Sequence, residues 1–208
     1  MVRIVAVALV VMAVGTSSAL ASAGAKYRGT GSDAGSRAKI SGSATVPSQN
    51  GTIATVRTQG ISDGLFQFGH IKQGNNFTTN CGGPGTIGYM AERQKVGGNY
   101  LCNVYFGSFG SSHVFSVKQN ASFTGWSAYL DGAFYEGPWG LGYQAGQAFA
   151  VGEYDGFPPT SYSMQFGSGT PWQYTVNGTS WITINSATNY NDGGWIITSL
   201  PSPFTISR

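Results

Sequence analysis

An all-β fold, a sandwich of two antiparallel sheets, is what this sequence predicts, and three observations carry the prediction. Short segments with period-two alternation of apolar and polar residues recur at near-even spacing. Glycine supplies 32 of the 208 residues and clusters with Asn, Asp and Pro between those segments. No segment sustains a helical period with caps at its ends. Many short strands without intervening helices make a sandwich or a barrel.

Residues 1–23 read as a signal peptide rather than as fold. Arg3 gives a minimal positive start, 4–14 is an aliphatic run, and Ala19-Leu20-Ala21 or Ala21-Ser22-Ala23 offers a small-residue cleavage site. The run is shorter than the roughly 20 residues a membrane span needs. The mature protein is therefore expected to be secreted, extracellular and free of the membrane. Residues 24–37 are polar and glycine-rich, and are expected to be a disordered leader. The β-sandwich domain is expected over 38–208, long enough to bury a sizeable core.

Strands are predicted in order along that domain. The first, 38–46, places Ile40, Gly42, Ala44 and Val46 on one face and stops at Pro47. The second is 53–58. The third, 65–71, sets Phe66, Phe68 and His70 on one face and Leu65, Gln67, Gly69 and Ile71 on the other. Gln67 is thus an amide among apolar neighbours, and leaving it unsatisfied would cost about 1–3 kcal/mol. Strands follow at 87–93, 100–106, 113–119, 126–130 and 133–136.

The stretch 142–156 organises the chain. Gln147, Phe149, Val151 and Glu153 point to one side, and Ala148, Ala150, Gly152 and Tyr154 to the other. The second face is nearly bare, which lets another layer come close. Glu153, in line with Phe149 and Val151, is one of only three glutamates and the best single candidate for chemistry. After 161–166, the segments 172–176 and 179–184 flank Asn177-Gly178 and predict a two-residue hairpin of the primed type, with Tyr174 facing Trp181. Strands at 195–198 and 204–206 close the domain.

Composition narrows the function. Eleven Lys and Arg against eight Asp and Glu give a net charge of +3, too little to imply nucleic acid. The two cysteines, Cys81 and Cys102, are expected to form one disulfide in an exported protein, closing a 21-residue loop worth about 3 kcal/mol. With only His70 and His113 beside them, no metal site is expected, and no cofactor motif is present. Glu92, Glu136 and Glu153 are too scattered along the chain for the alternating carboxylates of a β-sandwich glucanase. The aromatics Tyr129, Tyr135, Trp139, Tyr143 and Tyr154 either fill a core or line a cleft that stacks on sugar rings.

Three segments in the same order carry a family resemblance. Ile40-Ser-Gly42-Ser-Ala44-Thr-Val46-Pro47 resembles the entry strand of the glutamic peptidases, the eqolisin family. Gln67-Phe68-Gly69 is similar to the segment holding the family's catalytic glutamine. The strand 147–153, with a later strand ending Gln165-Phe166-Gly167, resembles the segment holding its catalytic glutamate. The resemblance implies a concanavalin-like sandwich and a water held between Gln67 and a glutamate. That glutamate would serve as general base and then general acid, with the Gln67 amide donating to the oxyanion. Two departures stand out. Laid without gaps, the family's first, catalytic glutamate falls on Phe149, and only Glu153 is acidic. Four strand positions separate the two by about 13 Å, so Glu153 reaches Gln67 only through a bulge, for which Gly152 is the place. The family's tryptophan-rich stretch before the glutamine is also missing.

The expectation is a secreted monomer that hydrolyses polypeptide substrates at acid pH through Gln67 and Glu153. The alternative is a non-catalytic sandwich that binds a surface polysaccharide through Trp139, Tyr143 and Tyr154. A structural coat role ranks third.

Overall fold

The computed structural model describes residues 21–26, 32–60, 62, 64–77, 81–156, 158–191, 194–198 and 202–208. Two antiparallel sheets face each other. The first has seven strands, in spatial order β14 (Thr188–Asn191), β1 (Ala21–Lys26), β10 (Gln147–Asp155), β3 (Gly51–Gln59), β4 (Leu65–Gln73), β5 (Ile87–Gln94) and β6 (Tyr100–Phe106). The path of the second runs β15 (Ile196–Thr198), β16 (Phe204–Ser207), β11 (Ser161–Phe166), β2 (Gly35–Thr45), β7 (His113–Gln119), β8 (Trp126–Leu130) and β9 (Ala133–Trp139). Beside it, β12 (Gln173–Thr175) pairs with β2 and with β13 (Ile182–Thr183). The all-β sandwich expected from the sequence is the fold observed.

Alternation explains which face of each strand is inside. Phe66 and Phe68 of β4, Ala54 and Val56 of β3, Ala148 and Ala150 of β10, and Phe115 and Val117 of β7 are all buried between the sheets. Phe68 packs edge-on against Phe115 across the gap, with ring centroids 5.1 Å apart. The bare face of β10 is used as its sequence suggests. A Cβ at Gly152 would stand 2.6 Å from the Tyr162 hydroxyl, which lies against that face and donates to the Ile53 carbonyl at 2.8 Å. One ion pair ties the far edges of the two sheets. Glu136 on β9 accepts from Arg93 on β5 at 2.7 Å, from Asn103 at 3.0 Å and from the Tyr105 hydroxyl, while Arg93 stacks on Trp139 at 3.8 Å.

The structure corrects the sequence reading at three places. The stretch expected to be a loose leader contributes to both sheets. Gly24–Lys26 belong to β1, which pairs with β10 on one side and β14 on the other, while Asp33 is buried and β2 begins at Gly35. The sequence of this stretch is too small and polar to predict strands, and pairing with their partners makes them so. Of the signal peptide expected over 1–23, residues 1–20 lie outside the described residues, and Ala21–Ala23 open β1 by pairing with Tyr154, Glu153 and Gly152. Strand β14 was also unforeseen, because all four of its side chains are exposed and no alternation marks it.

The third correction is the hairpin. Tyr174 pairs with Ile182 and Gln173 with Thr183, not Tyr174 with Trp181. The Asn177 carbonyl oxygen accepts the backbone N–H of Thr179 at 3.0 Å and of Ser180 at 2.8 Å, and the Thr175 hydroxyl at 3.0 Å. The chain wraps around that side chain, so the turn takes one more residue than the two-residue form. A one-residue slip moves a side chain to the other partner and face. Trp181 accordingly leaves Tyr174 and stacks on Arg37, 4.4 Å away.

Cys81, in the β4–β5 connection, is bonded to Cys102 on β6. Replacing both with Ala is expected to lower stability by about 3 kcal/mol, as the loop length implies, read from the urea midpoint at constant m-value.

Two buried groups, Asp33 and His70, pull the acid response of the fold in opposite directions. Burial pushes the Asp33 carboxyl up to about 6, against which its hydrogen bond from the Ala148 N–H works only partly. Burial also pushes His70 down to about 4. Between about pH 4 and 6 the folded state holds a proton on Asp33 that the unfolded chain has lost, so this group costs stability as pH rises. Between about pH 4 and 6.5 the unfolded chain holds a proton on His70 that the folded state lacks, so this group adds stability as pH rises. The two slopes oppose each other over the same range. Asp33→Asn is expected to remove one of the slopes that oppose His70, so that from pH 4 to 6.5 stability rises more with pH than in the unsubstituted protein, against the remaining opposition of the buried Glu92 carboxyl. Urea melts of both proteins across that range measure the difference in slope.

Candidate functional site

The outer face of the seven-stranded sheet carries a row of side chains set by strand register. Phe149 on β10 pairs with Arg57 on β3, Arg57 with Gln67 on β4, Gln67 with Glu92 on β5, and Glu92 with Cys102 on β6. Each of these residues points away from the core, because its strand neighbours Ala148 and Ala150, Val56, Phe66 and Phe68, and Ala91 point into it. The middle three residues of the row, Arg57, Gln67 and Glu92, line a cavity of about 470 Å³. Its apolar walls come from Ile53, Leu65, Ile71, Met90 and Tyr100, and Phe77 and Cys81 of the β4–β5 connection also border it.

At the centre Gln67 is only 1% exposed, and its amide is held at both ends. Its carbonyl oxygen accepts from the Thr55 hydroxyl at 2.9 Å, from Arg57 Nε at 3.0 Å and from Arg57 Nη2 at 2.9 Å. Its Nε2 donates to Glu92 Oε2. With three donors on one side and a carboxylate on the other, the amide has one orientation. The requirement that a buried mid-strand amide find partners is thus met on both ends.

Arg57 also reaches Glu153, with Nη2 2.5 Å from Oε1. Strand β10 pairs with β3 residue by residue from Gln147 to Asp155, so there is no bulge at Gly152. Glu153 comes to the site through the length of the Arg57 side chain instead. The carboxylate in direct contact with the Gln67 amide is Glu92. Burial raises the Glu92 carboxyl above the ordinary glutamate value. The Gln67 hydrogen bond and the Arg57 charge lower it in part, and Glu153 raises it. Among the described residues no hydrogen bond engages Glu92 Oε1, which leaves that oxygen for a water or substrate.

Of the residues named from the sequence, Gln67, Glu153 and Tyr154 border the cavity, together with Asp155 at the end of β10. Trp139 and Tyr143 do not. Trp139 is stacked under Arg93, and Tyr143 packs against Trp126 at 4.8 Å with its hydroxyl 3.3 Å from that of Thr58. Tyr154 is 7% exposed and lies against Trp195, with ring centroids 5.4 Å apart. No metal-binding group of three or more His, Cys, Asp or Glu occurs among the described residues.

Sequence reasoning missed Arg57, Thr55 and Glu92. A signal was present: 53–58, 65–71 and 87–93 each carry one long polar side chain on an otherwise apolar or small-residue face. Aligning the three needs the register, which no tight turn between these strands specifies.

Burial of Glu92 has a consequence for stability. The folded state holds its proton to higher pH than the unfolded chain, so ionisation costs stability as pH rises past the ordinary glutamate value of 4.5. Glu92→Gln is expected to melt above the unsubstituted protein at pH 7, with the difference closing towards pH 4. Melting curves at the two pH values check both the sign and the convergence.

No family model and no curated protein matches this chain. Solved structures do. The chain is similar to scytalido-glutamic peptidase, solved with a transition-state analogue inhibitor, with a TM-score of 0.59 and 16% identity over 90% of this chain and 97% of that one. It is also similar to SCP-B, a member of the eqolisin family of peptidases solved with the tripeptide Ala-Ile-His. There the TM-score is 0.50, with 18% identity over 90% of this chain and 96% of that one. At such identities the likeness is one of fold, and by fold this chain is a distant glutamic-peptidase-like β-sandwich.

Proposed function

We propose that this chain is an exported hydrolase of peptide bonds in which Gln67 and Glu92 do the chemistry, Arg57 fixes the amide, and Glu153 balances the Arg57 charge. The observation that carries the reading is the contact between the Gln67 amide and the Glu92 carboxylate in the cavity wall. A carboxyl whose ionised form is disfavoured by burial is a stronger base when ionised and a ready acid when protonated.

The steps balance with a single water. The Glu92 carboxylate takes a proton from a water at Oε1, and the water oxygen attacks the scissile carbonyl carbon. The carbonyl π pair moves to oxygen, and the second N–H of Gln67 donates to that oxyanion. Glu92 then gives its proton to the amide nitrogen as the C–N bond breaks, and the carboxylate is restored. Arg57 and Thr55 keep the Gln67 carbonyl turned away from the developing negative charge. The likeness of fold to structures described as peptidases supports the substrate class. Because Glu92 must start ionised and its carboxyl is raised, the working range falls on the weakly acid to neutral side rather than at strongly acid pH.

Casein digestion followed from pH 3 to 8 tests this reading. The rate is expected to rise with pH along a limb above the ordinary glutamate value. Glu92→Gln should cost about 10²–10⁴-fold and Gln67→Ala about 10²–10³-fold. Digestion that survives Glu92→Gln but not Glu153→Gln would return the acid–base role to Glu153. Survival of both substitutions would end the assignment.

A further inference from the structure

The cations of the second sheet are arranged unlike those of the first. Arg57 and Arg93 each meet a glutamate. Arg37 and Lys39 on β2 and Lys118 on β7 form no salt bridge among the described residues. All three point outward from the nine-stranded sheet, since Ser36, Ala38 and Ile40 of β2 and Phe115, Val117 and Gln119 of β7 point inward. Register places Arg37 beside Ser116 and Gln173, Ser116 beside Tyr129, and Tyr129 beside Phe134. Arg37 stacks on Trp181 at 4.4 Å, and Lys118 lies over Tyr129 at 4.8 Å. Phe134 extends the strip and is 59% exposed. Asp131 at the β8–β9 turn is paired with His113 at 2.6 Å and also feels the charge of Lys39.

We infer that this outer strip, from Trp181 through Arg37 and Lys118 to Tyr129 and Phe134, is a docking surface for a linear anionic polysaccharide. Like charges held close together repel, and partial burial followed by the neighbouring Arg37 holds the Lys118 ammonium below its ordinary value. A bound anion relieves both costs. The stacked rings fix the cations in advance, so little side-chain freedom is lost on binding. Aromatic rings spaced between single cations suit a chain of sugar rings with an acidic group at intervals. A nucleic acid requires many more phosphate contacts to bind well. An anionic lipid surface calls for a cluster of about four to eight Lys or Arg, and this strip has two, Arg37 and Lys118. The strip lies on the sheet opposite the cavity, so the inference goes beyond the proposed hydrolysis and does not depend on it.

The test is retention of the full-length protein on immobilised dextran sulfate against neutral dextran, at low and high salt. Selective, salt-sensitive retention is expected, with at least tenfold weaker binding in Arg37→Gln/Lys118→Gln and unchanged casein digestion. Melting curves check that the double variant is folded. If it is not, Lys118→Gln alone carries the test with about a threefold loss. Equal binding to both dextrans overturns the inference, as does retention indifferent to these substitutions. So does tighter, substitution-sensitive binding to duplex DNA or to phosphatidylserine vesicles. Loss of digestion in Glu92→Gln with retention intact would separate the two activities.

Discussion

Gln67 cannot turn its amide over without setting its NH2 group against Arg57 and the Thr55 hydroxyl, and its carbonyl oxygen against Glu92. Much of the outer face of the seven-stranded sheet follows from that constraint. A buried amide mid-strand must be satisfied on both ends, because each orphaned polar group costs about 1–3 kcal/mol. The neighbouring strands supply partners of opposite sign, a cation on one side and an anion on the other. That arrangement polarises the amide along the row and aims its N–H groups towards the acid. The same bonds that satisfy a structural demand therefore leave a fixed donor beside a buried carboxyl.

The two sheets divide the charge of the molecule. Glu92, Glu153 and Asp155 border the cavity on one outer face, where Arg57 is the cation among the described lining residues. Arg37, Lys39 and Lys118 stand on the other outer face. Between the sheets lie Asp33 and His70, whose shifts run in opposite directions, and the Arg93–Glu136 pair that clips the far edges together. A net charge of +3 conceals this separation. Composition excludes a uniformly basic protein, but it carries no information about which face each charge occupies.

Alternation made the central strands legible, since Phe66, Phe68 and His70, or Ala148, Ala150 and Gly152, sort to one face at any register. The bare inner face of β10 was readable for the same local reason, and the disulfide because the chain holds two cysteines and no more. Pairing was not. β1 and β14 have too little apolar content to announce themselves and exist as strands through their partners. The Asn177 hairpin slipped by a residue because one side chain captured two backbone N–H groups that a two-residue turn would have left free. The cavity was half legible. Gln67 and Glu153 stand out within their own segments, whereas Glu92 becomes interesting only once β4 and β5 are laid side by side.

That pairing also gives the substitution pattern a physical sense. Phe149 occupies the row position where the family resemblance would set a catalytic glutamate, and it lies directly across from Arg57. A carboxylate at 149 would compete with Gln67 for that guanidinium. A phenyl ring does not, so Arg57 keeps its two bonds to the Gln67 carbonyl and spends its remaining reach on Glu153. The acid beside the amide then stands on the opposite flank, on β5, where the NH2 group points. The row thus holds its cation on the β3 flank and its acid on the β5 flank, with the amide between them. Chemistry that needs a donor next to a raised carboxyl requires only that adjacency, whichever neighbouring strand supplies the acid.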